Sequence, residues 1–235
     1  MIKGIIFDFG GTIDTNGIHW EKLLFSFYKK AGVEISNNEF HSVYVQVEKM
    51  LGNTSIIHST DTLSTTLRKK VELELLLIYS LSIKNDNKSI REELINKIVH
   101  PVLSFVKKNI ENNIPILNQL KQTYQLAMVT NYYGNVETVL KELNLIEQFS
   151  VIIESQKRGV RKPNPEIFQI ALEEMSLPSE EVLVVGDSYK NDILPAQFCG
   201  CKTLWINPEK KKKGLFAYLF IFGCAGSLLL CMGFL

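Results

Sequence analysis

Five short apolar runs, at residues 2–7, 126–129, 151–153, 182–185 and 203–206, constrain this chain more than any other feature of its sequence. A strand with one wet face alternates apolar and polar residues. A run that stays apolar reads instead as a strand covered on both faces, which is the signature of a parallel sheet. Stretches with helical spacing, at residues 136–143, 165–175 and 192–198, separate the later runs. Strand alternating with helix predicts an α/β fold, a Rossmann-like doubly wound parallel sheet. In such sheets ligands bind in the crevice at the carboxyl ends of the strands, so the residues that follow each run carry the chemistry.

The alternation breaks between residues 15 and 112. There apolar residues recur at helical spacing: Leu23, Leu24, Phe27 and Tyr28; Val43, Val47 and Leu51; Leu73, Leu76 and Leu77, with Ser80 continuing the stripe. This predicts an inserted all-helical cap domain over the strand ends, spanning 15–112, with residues 1–14 and 113–209 forming the catalytic core. Gly52-Asn53-Thr54 and the segment from Lys84 to Lys88 are natural turns between cap helices.

The first run ends in Asp8-Phe9-Gly10-Gly11-Thr12-Ile13-Asp14. An Asp at a strand tip followed by glycines places a carboxylate at the mouth of the crevice, although an Asp here also suits a helix cap. The second run ends in Thr130-Asn131, able to hold a phosphate oxygen and equally an ordinary turn pair. Lys162 precedes Pro163 in extended backbone just ahead of a helix, where its ammonium can neutralise an anion or simply face solvent. The fourth run ends in Gly186-Asp187, with Asp192 five residues on. Carboxylates that converge without enough positive charge usually hold a hard cation such as Mg²⁺.

Asp after strand one, Thr after strand two, Lys-Pro before a helix, and Gly-Asp with a second Asp after strand four resemble the four motifs of the haloacid dehalogenase superfamily. The match runs from residue 2 to about residue 206, with a helical insertion where the first type of cap belongs. The resemblance implies a hydrolase in which Asp8 attacks phosphorus and forms an aspartyl phosphate. Mg²⁺ would be held by Asp8, the backbone carbonyl of Gly10 and Asp187. Thr130 and Asn131 would bind phosphoryl oxygens, Lys162 would offset the gathered charge, and Asp192 would orient Lys162 or a metal-bound water. The implied substrate is a small phosphorylated metabolite.

Gly10 departs from the pattern. Phosphatases of the superfamily usually carry Asp there as the general acid, though some with Gly at this position are phosphatases too. A backbone carbonyl survives the change, so metal binding need not suffer, whereas losing a general acid typically costs about 10²–10⁴-fold. Asp14 or His19 could supply the proton; Asp14 also suits a turn or helix cap, and His19 a half-buried partner of Trp20. Two other readings stay open: a carbon-halogen or carbon-phosphorus hydrolase, since dehalogenases of the superfamily lack that Asp and need no Mg²⁺, and a binding or regulatory module that has lost catalysis.

Composition narrows the partners. The 235 residues are 46% hydrophobic, and 26 basic against 25 acidic residues leave a formal net charge of +1. No overall field draws the chain to nucleic acid. Cys199, Cys201, Cys224 and Cys231 show no disulfide or zinc spacing and read as structural residues in a reducing compartment. The start of the chain lacks the pattern of a secretory signal, so a cytoplasmic domain is expected. Residues 210–235 stand apart: Lys210 to Lys213, then 214–235 without a charge. As a helix that tail would reach about 33 Å, enough to anchor in a membrane with the lysines on the cytoplasmic side. A peptide read out of frame after the adenine-rich lysine codons and a buried core helix are the other two readings.

Overall fold

The computed structural model describes residues 1–53, 55–81 and 87–207, together with the backbone of 220–222. Five strands are parallel: β1 (Gly4–Phe7), β2 (Gln125–Thr130), β3 (Val151–Glu154), β4 (Val182–Gly186) and β5 (Lys202–Trp205). A sixth, β6 (Phe220–Phe222), pairs with β5 antiparallel. The order is β3-β2-β1-β4-β5-β6. The chain therefore leaves β1 toward one side and later returns to the other, which makes the tip of β1 the switch point where a crevice opens. Phe7, the last residue of β1, pairs with both Met128 and Val185, so β2 runs two residues and β4 one residue past the tip of β1.

Side-chain alternation divides the core into two clusters. Ile5, Phe7, Leu126, Met128, Leu183 and Val185 point to one face, and Ile6, Ala127, Val129, Val182 and Val184 to the other. Helix α7 (Glu166–Met175) and helix α8 (Leu194–Phe198) cover the second face. The first face is covered by α5 (Val136–Glu142) and by the last turns of the long helix α4 (Lys88–Lys121). The short turn of helix α6 (Ser155–Arg158) follows β3.

The helical insertion consists of α1 (Trp20–Lys30), α2 (Asn37–Asn53), α3 (Leu63–Leu81) and most of α4. Helix α4, about 50 Å long, does not stop at residue 112. It continues to Lys121 and buries Leu117 and Leu120 in the sheet's own core. Its upper end is capped by Asn87, whose side chain accepts the Ser89 and Ile90 N–H groups, and residues 84–86 and Thr54 of the two expected turns lie outside the described residues.

Helix α3 corrects the sequence reading. Its buried face is Leu63, Leu67, Val71, Leu75 and Ile78, whereas Leu76 and Ser80 are exposed and Leu73 and Leu77 only half-buried. Lys70 and Glu74 occupy core positions on that face, so the true stripe looks interrupted by charge.

Cys201 is buried and Cys199 half-buried, both as free thiols. The membrane-anchor reading concerns 214–235. That segment lies outside the described residues except Phe220–Phe222, which form a strand and not a helix. Among the described residues no helix is long and apolar enough to cross a membrane.

Candidate active site

Asp8 leaves β1 with its N–H bonded to the Val185 carbonyl at 2.9 Å, which extends the ladder by one residue and fixes the side chain in the crevice. The chain then coils through Phe9–Ile13. Gly11 sits at φ +101°, a left-handed conformation that favours glycine, and a Cβ there would lie 2.5 Å from the Asp187 carboxyl. On the facing loop a Cβ on Gly186 would lie 2.4 Å from Asp192. Both glycines exist so that backbone and carboxylates can approach this closely.

Lys162 is the hub. Its buried Nζ donates to Asp8 Oδ1 and Asp192 Oδ1, each at 2.6 Å, and to the Val129 carbonyl at 3.1 Å. Its backbone is clamped by Asn131, whose Oδ1 accepts the Lys162 N–H at 2.9 Å and whose Nδ2 donates to the Lys162 carbonyl at 3.0 Å. The Asn131 side chain thereby positions Lys162, and the second N–H of its amide is left for another acceptor. Thr130 lies beside it, buried at the tip of β2. Asp192 is committed as well, its Oδ2 accepting the Ser188 N–H at 2.9 Å.

Asp8, Asp187 and Asp192 each present a carboxylate oxygen, and these lie within 4.8 Å of one another. Three carboxylates face one ammonium, so the site carries an excess of two negative charges when all are ionised. Burial first pushes Asp8 up to about 7; Lys162 opposes this, and the Asp192 and Asp187 carboxylates add to it. Asp187 rises to about 7 for the same reasons, burial first and then Asp192. Burial would depress Lys162, but the two carboxylates it bridges hold it above its ordinary value. Oxygen donors with surplus negative charge are what a hard divalent cation requires, and the Gly10 carbonyl belongs to the same loop as Asp8.

Asp14 and His19 do not present free acids. Asp14 is 1% exposed; its Oδ1 accepts the Gly11 N–H and its Oδ2 the Trp20 Nε1–H, both at 2.7 Å. Burial pushes its carboxyl up to about 7 against the pull of those two bonds. His19 begins α1 and accepts the Glu21 N–H on Nδ1 at 3.3 Å, capping the helix. The residue is exposed, yet lost hydration lowers its pKa, so less of it carries a proton at neutral pH.

The sequence reading missed Thr12. Its hydroxyl lies 3.0 Å from Asp8 Oδ2 and 3.4 Å from Asp187 Oδ1, joining the first and fourth strand tips. The available signal was a hydroxyl four residues after Asp8 in a glycine-rich turn, close enough in sequence for the coil to bring it back. Asn113 and Asn109 were missed too. From α4 they donate to the Ile13 and Asp14 carbonyls at 2.8 and 3.2 Å and tie the loop after Asp8 to the insertion.

A model of the haloacid dehalogenase-like hydrolase family matches residues 5–206. Among curated proteins, the chain is 31% identical over 102 residues to a pyrimidine 5'-nucleotidase of Escherichia coli (strain K12), covering 43% of this chain and 45% of that one. A phosphoglycolate phosphatase of Vibrio cholerae serotype O1 is 31% identical over 157 residues, covering 66% and 65%. The matched stretch spans less than two thirds of either relative. Among solved structures, a HAD-hydrolase of Bacillus subtilis bound to magnesium superposes with a TM-score of 0.55 at 21% identity, over 89% of this chain and 91% of that one. A dehalogenase with an intermediate complex gives 0.58 at 17%, over 90% and 87%. At these identities the likeness to solved structures concerns the fold.

Proposed function

The chain belongs to the haloacid dehalogenase-like hydrolases, and from that premise we propose that it is a magnesium-dependent phosphatase of small phosphorylated metabolites, with Asp8 as nucleophile and residues 15–112 as its cap. One observation carries the choice of phosphatase over dehalogenase. The oxygens of Asp8, Asp187 and Asp192 converge within 4.8 Å around a single ammonium. In a metal-free carbon-halogen hydrolase Asp192 would still hold Lys162, but Asp187, facing Asp8, would only raise the pKa of the nucleophile. A phosphatase needs Asp187 to hold a cation.

Asp8, Asp187 and the Gly10 carbonyl would hold Mg²⁺, which supplies charge neutralisation for the incoming phosphoryl group. Lys162, pinned by Asn131 and Asp192, keeps Asp8 ionised and oriented and meets a second phosphoryl charge. Thr130 offers its hydroxyl to a phosphoryl oxygen, and Asn131 the second N–H of its amide. An Asp8 oxygen bonds to phosphorus as the ester P–O bond breaks. Water then displaces Asp8 from phosphorus and inorganic phosphate leaves. Phosphoryl transfer asks mainly for placement and charge, and these residues supply both.

Phosphate release from p-nitrophenyl phosphate, measured with and without Mg²⁺, tests the reading. Release that depends on Mg²⁺ and vanishes in Asp8→Asn is the expected result. Halide release from a 2-haloacid, with no Mg²⁺-dependent phosphate release, would replace it with the dehalogenase reading.

A further inference from the structure

With no side chain at position 10, the space beside the nucleophile loop belongs to an aromatic ring. A Cβ built on Gly10 would touch Trp20, with Cδ1 and Nε1 each at 3.6 Å. The indole is held there by Asp14, which accepts its N–H through one carboxylate oxygen and the Gly11 N–H through the other. Asp14 is buried, and its own carbonyl is bonded to Asn109 of α4. The ring is therefore fixed to the nucleophile loop and not merely near it.

A second ring stands on the neighbouring residue. Tyr132, the residue after Asn131, packs edge-on against Phe9 with centroids 5.9 Å apart and against Tyr133 at 5.1 Å. Phe9 precedes Gly10, so the Tyr132 ring stands against the same loop that Trp20 covers. Both residues pack against the core and are only partly buried. Asp14 cannot act as an acid toward a bound ester without giving up one of its two bonds.

We propose that Trp20, positioned by Asp14, and Tyr132 form a leaving-group site that selects a phosphoryl group carried on a planar, weakly basic oxygen, as in aryl, enol and acyl phosphates. The proposal rests on the phosphatase reading. Planarity lets the leaving group lie against the rings. Weak basicity lets it depart unprotonated: a phenol has a pKa of about 10, against about 16 for bulk water, so no acid at position 10 is required. In the first step the Asp8–phosphorus bond forms and the phosphorus–oxygen bond breaks, the electron pair leaving with the aryloxide, enolate or carboxylate. In the second, water adds to phosphorus and the Asp8–phosphorus bond breaks; both protons of the water end on the phosphate, as dihydrogen phosphate, and Asp8 is released as carboxylate.

Phenyl and cyclohexyl phosphate, matched in size, test this with Mg²⁺ present. The wild type is expected to favour the phenyl ester in kcat/KM by about 10²–10⁴-fold, the range a general acid otherwise supplies. Trp20→Leu is expected to shrink that ratio about three- to tenfold by raising KM for the phenyl ester. Trp20→Phe keeps a ring and should shrink it less. Asp14→Asn cannot accept both N–H groups, and should move the ratio in the same direction as Trp20→Leu; a merely structural residue would lower both esters equally. If Trp20→Leu does not fold, Tyr132→Leu carries the same expectation. An unchanged ratio in the folded variants, or a wild type without aryl preference, overturns the leaving-group site alone. No phosphate from any ester, p-nitrophenyl phosphate included, overturns the phosphatase reading and this proposal with it.

Discussion

At the strand tips a buried lysine, Lys162, bridges two carboxylates that are themselves tied to backbone or hydroxyl groups. In the helical insertion a second buried lysine, Lys70, is arranged otherwise. It pairs with Glu48, which also accepts the Tyr133 hydroxyl at 2.8 Å, and lies over the Tyr44 ring at 4.2 Å. One turn further along, Glu74 is fully buried; its Oε2 accepts the Tyr28 hydroxyl at 2.7 Å, but its Oε1 has no hydrogen-bond partner among the described residues. The first cluster gathers surplus charge on oxygens within 4.8 Å of one another. The second has a carboxylate that the fold satisfies only by half, and Glu74 is pushed up to about 7, by burial first and against the pull of Lys70. Burial of charge alone therefore does not mark a site; convergence of oxygens around shared space does.

Removing each lysine separates the two clusters most sharply. Lys162→Met and Lys70→Met each leave buried carboxylates unpaired, and each is expected to cost about 3–5 kcal/mol at pH 7. Chemical denaturation read with and without Mg²⁺ should show that the cation recovers part of the loss in Lys162→Met and none in Lys70→Met. Equal recovery in both would erase the distinction.

Glu74 gives a smaller effect with a definite sign. Its folded pKa is raised above the unfolded value of 4.5, so the folded state holds more protons between that pH and about 7, and stability falls as pH rises through this window. Glu74→Gln removes the charge while keeping an acceptor for Tyr28. It is expected to stabilise the protein by up to about 3 kcal/mol at pH 8 and by little at pH 5. A gain that is the same at both pH values would mean that Glu74 is ionised throughout.

Tyr133→Phe is the smallest test. The Tyr133 hydroxyl joins the loop after β2 to Glu48 of α2, and its loss is expected to cost about 1 kcal/mol, with a wider spread of insertion positions in small-angle scattering. An unchanged profile would leave the insertion held by its other contacts, such as Asn135 to Thr66 at 2.8 Å and Leu63 N–H to Glu142 at 2.7 Å.

What was legible follows from where each residue stands. Asp8, Thr130, Lys162 and Asp187 each sit at a strand tip or in a loop the parallel topology carries to the same edge, so apolar runs located them before any coordinates. The face of α3 was not legible because Lys70 and Glu74 sit on it, and hydropathy counts charged residues as surface even where they are buried. Partners were not legible either. Nothing in the Thr130-Asn131 pair says that the amide turns to the Lys162 backbone, and Trp20 gave no sign that its ring reaches Gly10, because that contact depends on how α1 leaves the loop after Asp8.

Titration calorimetry of Mg²⁺ into the wild type and Asp187→Asn tests the central claim most directly. Asp8 and Asp187, both raised to about 7, should shed protons as the cation binds, so the wild type is expected to bind one Mg²⁺ with proton release at pH 7 and with affinity that rises with pH through that value. Asp187→Asn should bind at least about 100-fold more weakly. Equal binding by the two proteins, or no binding by either, would contradict the account.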